Sequence, residues 1–466
     1  MPRILIDCSL IDFRNIPSGI PRVVINYLRH GARWGKRNSY EIYPVVFYGK
    51  EMILPFFMPS ELAAEYARPR TSEAILRCLA QGLHNIIERF RKILFHILSA
   101  VGHLCFIEGK KLDSGINRIL KAYLYIMQVA PYLIERHYKR IVPRQGDILF
   151  SPAYWHDIDP MIYRHISASG CKIVILVHDI LPILYPQYYH YPWREHFTQN
   201  LLATFSYADA HFAVSQFTRD CVVDFAKAHS VPTPSVGIAI NGLDDLGALD
   251  SLSLEAIPTS ANLRDFLMDH PTFLMMVGSI EPKKGHGYII EQLSILWDAG
   301  YELPLLIVGR KGWMWEMVVE AINQHPCKGS KLFWFTDMND HDLVIAFRRA
   351  RFLVFGSEAE GFGLPMIESL HFGCPVIALD TPISREVLGR FGLFYEKRET
   401  QFRELLVRMQ DNAVYASHKR NIADFYWPDW EECTNQLFDQ MIHRGLASSK
   451  PTRALAALQA VSQTLT

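Results

Sequence analysis

The run Leu274-Met275-Met276-Val277-Gly278-Ser279-Ile280-Glu281-Pro282-Lys283-Lys284-Gly285 reads as a strand, a glycine turn and a lysine pair, with an amphipathic helix from Tyr288 onward. Four apolar residues without polar alternation suit a strand buried on both faces, as in a parallel sheet. Lysines beside a helix N-terminus, at the carboxyl end of such a strand, make an anion site. Free backbone N–H groups and ammonium groups both favour phosphate. Taken alone, the same pair also suits a solvated loop.

Outward from this unit the pattern repeats. In the second half, short apolar runs lie at Phe273–Val277, Leu305–Val308, Leu332–Phe335, Phe352–Phe355, Val376–Leu379 and Leu393–Tyr395. In the first half they lie at Ile4–Ile6, Tyr40–Phe47, Ile148–Phe150, Lys172–Val177, His211–Val214 and Val236–Ala239. Helical patterns alternate with them, which predicts a doubly wound α/β fold. Two sets predict two Rossmann-like domains facing across a cleft, residues 1–250 and 251–425, with a last helix and tail over 426–466. The boundary is expected within 242–270, where Gly242-Leu243-Asp244-Asp245 and Ile257-Pro258-Thr259-Ser260 are loop chemistry. Open α/β sheets bind ligands beyond the carboxyl ends of their strands, so the cleft is the expected site.

One segment breaks the alternation. Within residues 60–145, Ile75, Leu79, Leu83, Ile86, Phe90, Leu94, Ile97 and Val101 recur every three or four residues, predicting a helical insertion in the first domain. No internal repeat is present, and the tail after about Ala447 carries no start or stop signal.

The chain has 466 residues, 49% hydrophobic and 21% charged, which fits two or three globular domains and excludes a disordered chain. Lys+Arg and Asp+Glu both number 48, so global charge gives no reason to expect nucleic acid. The eight cysteines include no CxxC pair, against zinc and thioredoxin-type readings, and a disulfide framework is not expected. Ile4-Leu5-Ile6-Asp7 is too short for a signal core, and no uninterrupted apolar stretch reaches membrane-spanning length. A cytoplasmic protein is expected. Residues 60–145 also carry fourteen basic against seven acidic residues, with the nearly apolar Ile93–Ile107 between Arg89, Arg91, Lys92 and Lys110, Lys111. A basic amphipathic segment suits a peripheral membrane surface at the inner face of the membrane; the stripe would serve equally to pack on the first domain.

A second strand-turn-helix unit carries more chemistry. It runs Phe355-Gly356-Ser357-Glu358-Ala359-Glu360-Gly361-Phe362-Gly363-Leu364-Pro365-Met366-Ile367-Glu368. Gly361 and Gly363 let backbone N–H groups approach a ligand. Glu360 falls in the glycine turn and Glu368 about two turns into the helix. Two acids beside such donors can accept hydrogen bonds from sugar hydroxyls. As purely structural residues, they would be a helix N-terminal acid and a surface glutamate.

With these motifs in order, the chain resembles retaining nucleotide-sugar glycosyltransferases of the family-4 type, including bacterial mannosyltransferase-like members. Glu360 and Glu368 match that family's glutamate pair. Gly361-Phe362-Gly363-Leu364-Pro365 and Gly373-Cys374-Pro375-Val376-Ile377-Ala378 match the surrounding phrase, and Val277 to Lys284 resembles its diphosphate loop. Leu306-Ile307-Val308-Gly309-Arg310-Lys311-Gly312-Trp313 is similar to a phrase of the mannosyltransferase-like members, and Trp427-Pro428-Asp429-Trp430-Glu431 to the C-terminal crossover helix. The match is strong over about 172–440 and looser before.

The resemblance implies the GT-B fold and a set of roles. Lys284 binds the donor diphosphate with Lys283, Glu368 holds the ribose, and Glu360 contacts the transferred sugar. The backbone of Phe362–Leu364 donates to sugar or phosphate, and Met338 packs the nucleobase. Gly19, in the turn before Ile20-Pro21-Arg22, lies where acceptor and diphosphate meet. His178, in Val177-His178-Asp179-Ile180, lies against the donor sugar, often through its carbonyl. Ser279 departs from the arginine that the family often places there, a departure that a few mannosyltransferase-like members share. Arg22 suits a structural role as well as a functional one.

Asp157-Ile158-Asp159 and Asp340-His341-Asp342 are DxD patterns, which arise often by chance. Asp340 reads as an N-cap before Leu343, and the lysine loop already supplies cationic charge, so no metal and no cofactor are assigned. The reading is a retaining, metal-independent hexosyltransferase acting on a nucleotide diphosphate sugar and a glycan or lipid-linked glycan acceptor in polysaccharide synthesis. The mannosyltransferase-like phrases favour GDP-mannose. Two rivals stay open: a nucleotide-sugar 2-epimerase on the same fold, and a non-catalytic nucleotide-sugar or glycan-binding relative.

Overall fold

The computed structural model describes residues 1–11, 19–48, 51–53, 140–232, 234–244, 256–336, 338–398 and 400–444. The expected helical insertion lies outside these residues except for 140–145, and so does the tail after 444.

All twelve anticipated strands are present, within a residue or so of their expected ends. The first sheet contains β1 (Arg3–Asp7), β2 (Glu41–Tyr48), β3 (Glu51–Ile53), β4 (Arg140–Ile141), β5 (Ile148–Ser151), β6 (Lys172–Val177), β7 (Ala210–Ala213) and β8 (Val236–Ile238). Their order is β4-β3-β2-β1-β5-β6-β7-β8. The six strands from β2 to β8 are parallel; β3 and β4 add an antiparallel edge. Apolar runs do not reveal that edge, because β3 and β4 are only three and two residues long. Arg140–Ile141, within the segment expected to be helical, is therefore strand.

The second sheet contains β9 (Leu274–Val277), β10 (Leu305–Val308), β11 (Leu332–Phe335), β12 (Phe352–Phe355), β13 (Val376–Leu379) and β14 (Gly392–Tyr395). All are parallel, in the order β11-β10-β9-β12-β13-β14. Strand order therefore reverses between β9 and β12. Loops leaving two such strands diverge to opposite faces and open a crevice at their carboxyl ends. The lysine turn leaves β9, and the Glu360 turn leaves β12.

Alternation along the strands supplies the packing. Met275 and Leu306 point into one core, while Leu274, Met276, Leu305 and Ile307 point into another. The first of these cores continues into the first domain through Ile4, Ile6 and Tyr27. The helix Trp430–Arg444 closes the connection. Trp430 is buried and stands edge-on to Tyr27, with centroids 5.5 Å apart. Trp34 Nε1 donates to Asp439 Oδ1 at 2.9 Å. Gly31 lets the ring of Phe438 approach: an added Cβ would lie 2.8 Å from Phe438 Cε2. The chain thus returns from the second sheet to pack on the first-domain helix Ile20–Asn38.

Candidate active site

The two crevice loops are packed backbone to backbone. Gly285 has φ +73, and a Cβ there would lie 2.2 Å from the Gly356 carbonyl oxygen. Glu358 N–H donates to the Lys283 carbonyl at 2.8 Å. This contact sets Lys284, at the end of the turn Pro282–Lys284, directly against Glu360. Their side chains are only 20% and 12% exposed, so the pair is largely withdrawn from water. Burial alone would raise the Glu360 carboxyl. The nearby Lys284 and Lys283 charges, with hydrogen bonds from Lys284 and Ser357, outweigh it and hold the carboxyl below its ordinary value.

Lys283 extends the charged layer. Its Nζ lies 3.3 Å from Glu281 Oε2 and donates to Tyr189 Oη at 3.1 Å. Burial opposes its charge, but Tyr189, Asp179, Glu281 and Glu360 together raise its pKa. Ser279 donates to Glu281 Oε1 at 2.5 Å, so its hydroxyl is committed to the loop's own carboxylate.

The first domain closes over this pair. Gly361 lies against His178: a Cβ at 361 would fall 2.0 Å from the His178 carbonyl oxygen. The Gly361 carbonyl in turn accepts from Ser215 Oγ at 2.8 Å and Thr218 Oγ1 at 3.3 Å. The His178 ring is anchored by a 2.6 Å hydrogen bond to the Pro152 carbonyl. Burial lowers its pKa, outweighing that bond and Asp179, so the ring is neutral. Glu386 adds a second clasp, accepting from Gln216 N–H at 2.6 Å and Phe217 N–H at 2.8 Å.

Phe362 is buried and edge-on to Trp427 at 5.7 Å, leaving only its backbone for a ligand. Gly363, at φ +93, precedes the helix Leu364–His371. Glu368 is the fifth residue of that helix, a little over one turn in, instead of two, because the helix starts after Gly363. It lines a small pocket with Arg22, Asp244, Asp340, Leu343 and Phe347. Burial pushes its carboxyl up to about 7; Arg22 opposes, and Asp244 and Asp340 add to the rise. Arg22 crosses between the domains, 2.5 Å from Asp244 Oδ2 and 3.4 Å from Asp340 Oδ1.

Gly19, at φ +70, caps the helix that carries Arg22, and nothing lies within 4 Å of an added Cβ. Met338 is half-buried against the larger core, two residues before Asp340. Asp340 is not the N-cap. Asn339 is, its side chain accepting from Asp342 N–H, because the helix opens one residue earlier than Leu343 suggests.

Lys283, Lys284, Glu360, Gly361 and His178 therefore meet in one place, while Glu368 occupies a neighbouring pocket with Arg22. Sequence reasoning missed Asp244, Glu281, Tyr189 and Glu386 as site neighbours. Asp244 reads as linker chemistry. Tyr189 sits in Tyr185-Pro186-Gln187-Tyr188-Tyr189-His190-Tyr191-Pro192-Trp193, whose aromatic density was the available signal.

Residues 264–415 match the family of glycosyl transferases group 1. The serotype-specific mannosyltransferase WbdA of Escherichia coli is 32% identical over 258 residues, 54% of this chain and 31% of WbdA. The O-antigen chain mannosyltransferase B of Escherichia coli is 23% identical over 359 residues, 74% of this chain and 89% of the relative. This chain's matched regions span about a third of WbdA. Among solved structures, Anabaena HepE in complex with UDP and glucose shares the fold at a TM-score of 0.55 and 14% identity, covering 95% of this chain and 100% of HepE. The sucrose-phosphate synthase of Thermosynechococcus elongatus does so at the same TM-score, identity and coverage. The chain has the GT-B fold, is similar to bacterial mannosyltransferases, and matches the group 1 glycosyl transferases over residues 264–415 of its second half.

Proposed function

We propose that the chain is a retaining glycosyltransferase that moves a sugar from a nucleotide diphosphate donor to a glycan or lipid-linked glycan acceptor in polysaccharide synthesis, with GDP-mannose the favoured donor. The observation that carries this reading is the withdrawn Lys284–Glu360 pair at the carboxyl ends of β9 and β12, closed over by His178. A diphosphate entering the crevice competes for Lys284. The carboxylate it releases keeps Lys283 beside it and accepts hydrogen bonds from the sugar's hydroxyls. Lys284, Lys283 and the loop N–H groups then stabilise the charge that develops on the leaving diphosphate, commonly the largest catalytic contribution. The His178 ring is tied to Pro152, so its carbonyl is what it offers the sugar. No side chain is assigned as nucleophile; the departing phosphate takes the acceptor's proton. Glu368 receives the ribose and Met338 the base. The relatives named for mannose transfer support the sugar, and HepE, with UDP and glucose bound, supports the donor class.

Metal-independent transfer belongs to the same reading. Asp342 is committed to Thr259 and Ser260, Asp340 to Arg22, and Asp159 caps the helix Pro160–Ser167. Transfer should survive EDTA. A thermal-shift panel of GDP-, UDP- and dTDP-sugars, followed by product analysis with the stabilising donor, tests the whole. Donor turnover without an acceptor points to an epimerase. Binding without turnover points to a binding relative.

No helix among the described residues is long and apolar enough to cross a membrane. A peripheral contact is proposed for residues 60–145, whose net charge is +7. Each basic residue near anionic lipid adds about 1 kcal/mol, falling with salt. Flotation with anionic liposomes at low and high salt tests this; failure to float at low salt refutes it.

A further inference from the structure

An aromatic cluster beside the lysine loop joins the two domains. Tyr189, His190 and Trp193 come from the first domain, at the start of the helix Tyr191–Thr204. Trp313 comes from the second, in the loop after β10. Tyr189 and Trp193 are stacked, with centroids 5.6 Å apart and planes 20° apart. Trp313 lies 6.3 Å from Trp193 and 5.1 Å from His190. Trp313 is nonetheless 41% exposed, so much of its ring stays open to solvent and is not spent on a core.

The surroundings of the cluster narrow what it takes. One side is continuous with the proposed diphosphate loop, since Lys283 Nζ sits 5.5 Å from the Tyr189 ring centroid and donates to its hydroxyl. The other side is polar. His156 stands edge-on to Trp193 at 5.6 Å, its Nε2 is 3.6 Å from Asp157 Oδ2, and His196 is 4.0 Å from Asp157 Oδ1. A flat apolar face flanked by a carboxylate fits a saccharide, whose C–H face lies on a ring while its hydroxyls donate to oxygen. A lipid chain gains nothing from Asp157. The donor's nucleoside is assigned elsewhere, to Glu368 beside Arg22 and Asp244.

We infer that Tyr189, Trp193 and Trp313 form the acceptor subsite, a platform on which a pyranose of the acceptor glycan stacks while Asp157 receives its hydroxyls. This rests on the proposed function and names the acceptor half of the same site. Because the rings come from both domains, the platform is complete only when the cleft is closed.

The test titrates α-linked mannotriose, galactotriose and glucotriose into the full chain saturated with GDP, with GDP and UDP binding measured separately. In Trp313→Ala and Trp193→Ala, trisaccharide Kd should rise about tenfold or more, as for buried aromatic anchors. Trp313→Phe should stay within about threefold, and GDP affinity within about twofold in every variant, because Phe keeps a ring face and neither Trp touches Lys284. Melting temperatures confirm folding; Trp313 is exposed enough for its variants to fold. Unchanged trisaccharide affinity in both alanine variants overturns the subsite. So does a chain that binds GDP or UDP but none of the trisaccharides. Failure to bind either nucleotide instead overturns the donor reading on which the subsite rests.

Discussion

Glu360 and Glu368 stand on one strand-turn-helix unit with seven residues between them, yet their surroundings drive them apart. Glu360 lies in the turn against Lys284, with Lys283 behind, and its carboxyl is held below the ordinary range. Glu368 lies in the helix, where burial and the charges of Asp244 and Asp340 defeat Arg22 and push it up to about 7. Both carboxyls lose water. Only one gains close cations in sufficient number, so desolvation wins at one and Coulomb attraction at the other. The difference suits a division of labour. In the proposed reading, an acid held low serves beside the reacting sugar, and an acid poised near neutrality serves beside a neutral ribose.

The sharpest way to break this contrast is Lys284→Ala. It removes the cation that holds Glu360 down and the proposed phosphate contact together. A hydrogen bond to a charged group is worth roughly 1.5–3 kcal/mol, so donor affinity should fall about ten- to a hundredfold, with transfer nearly abolished. Steady-state kinetics and donor titration measure both. Unchanged kinetics in a folded variant would remove the lysine loop from the site.

Separating the two acids directly should give smaller, distinct effects. Glu360→Ala should lower kcat with donor affinity little changed, because its proposed contact is to the reacting sugar. Glu368→Ala should mainly raise the donor KM, because a ribose contact is made equally in ground and transition states. If the two variants exchange these behaviours, the roles drawn from the contrast are inverted.

The contrast also marks where sequence reading stops. Both parallel sheets were legible, because residues such as Leu274 to Val277 are apolar on both faces and run as uninterrupted blocks. The loops were legible because glycines recur at strand ends: Gly285 and Gly361 stand where a Cβ would strike a neighbouring carbonyl. In the first-domain half, the resemblance named Gly19 and His178, but the pairings were not legible. Arg22 reaches Asp340, more than three hundred residues away in the chain, and Tyr189 reaches Lys283. Such pairs depend on how the domains meet, which no local period encodes. Short edge strands escaped for the opposite reason: β4 is two residues long and leaves no period to detect.

The smallest expected effect is a titration, and it tests the contrast with least disturbance. The folded value of Glu368, about 7, lies above its ordinary 4.5. The native state therefore holds that proton more firmly than the unfolded chain. This contribution to stability is fully present below about pH 4.5 and is lost as pH rises through about 7. The shift sets an upper bound of about 3 kcal/mol; partial exposure of the pocket reduces it to about 1 kcal/mol. Between pH 5 and 8 the melting temperature of the native chain should fall relative to that of Glu368→Gln. Donor binding should run the other way, since the ionised carboxylate is the better acceptor for ribose hydroxyls, so affinity should tighten from pH 6 to 8. An intact nucleotide sugar is the right probe, because its diphosphate carries no terminal phosphate that titrates in this window. Glu368→Gln should flatten the binding profile, while Glu360→Gln, replacing an acid already ionised throughout, should leave its slope unchanged. A native profile that is itself flat from pH 6 to 8 would mean that Arg22 holds Glu368 ionised after all, and the two acids would then differ in position but not in charge.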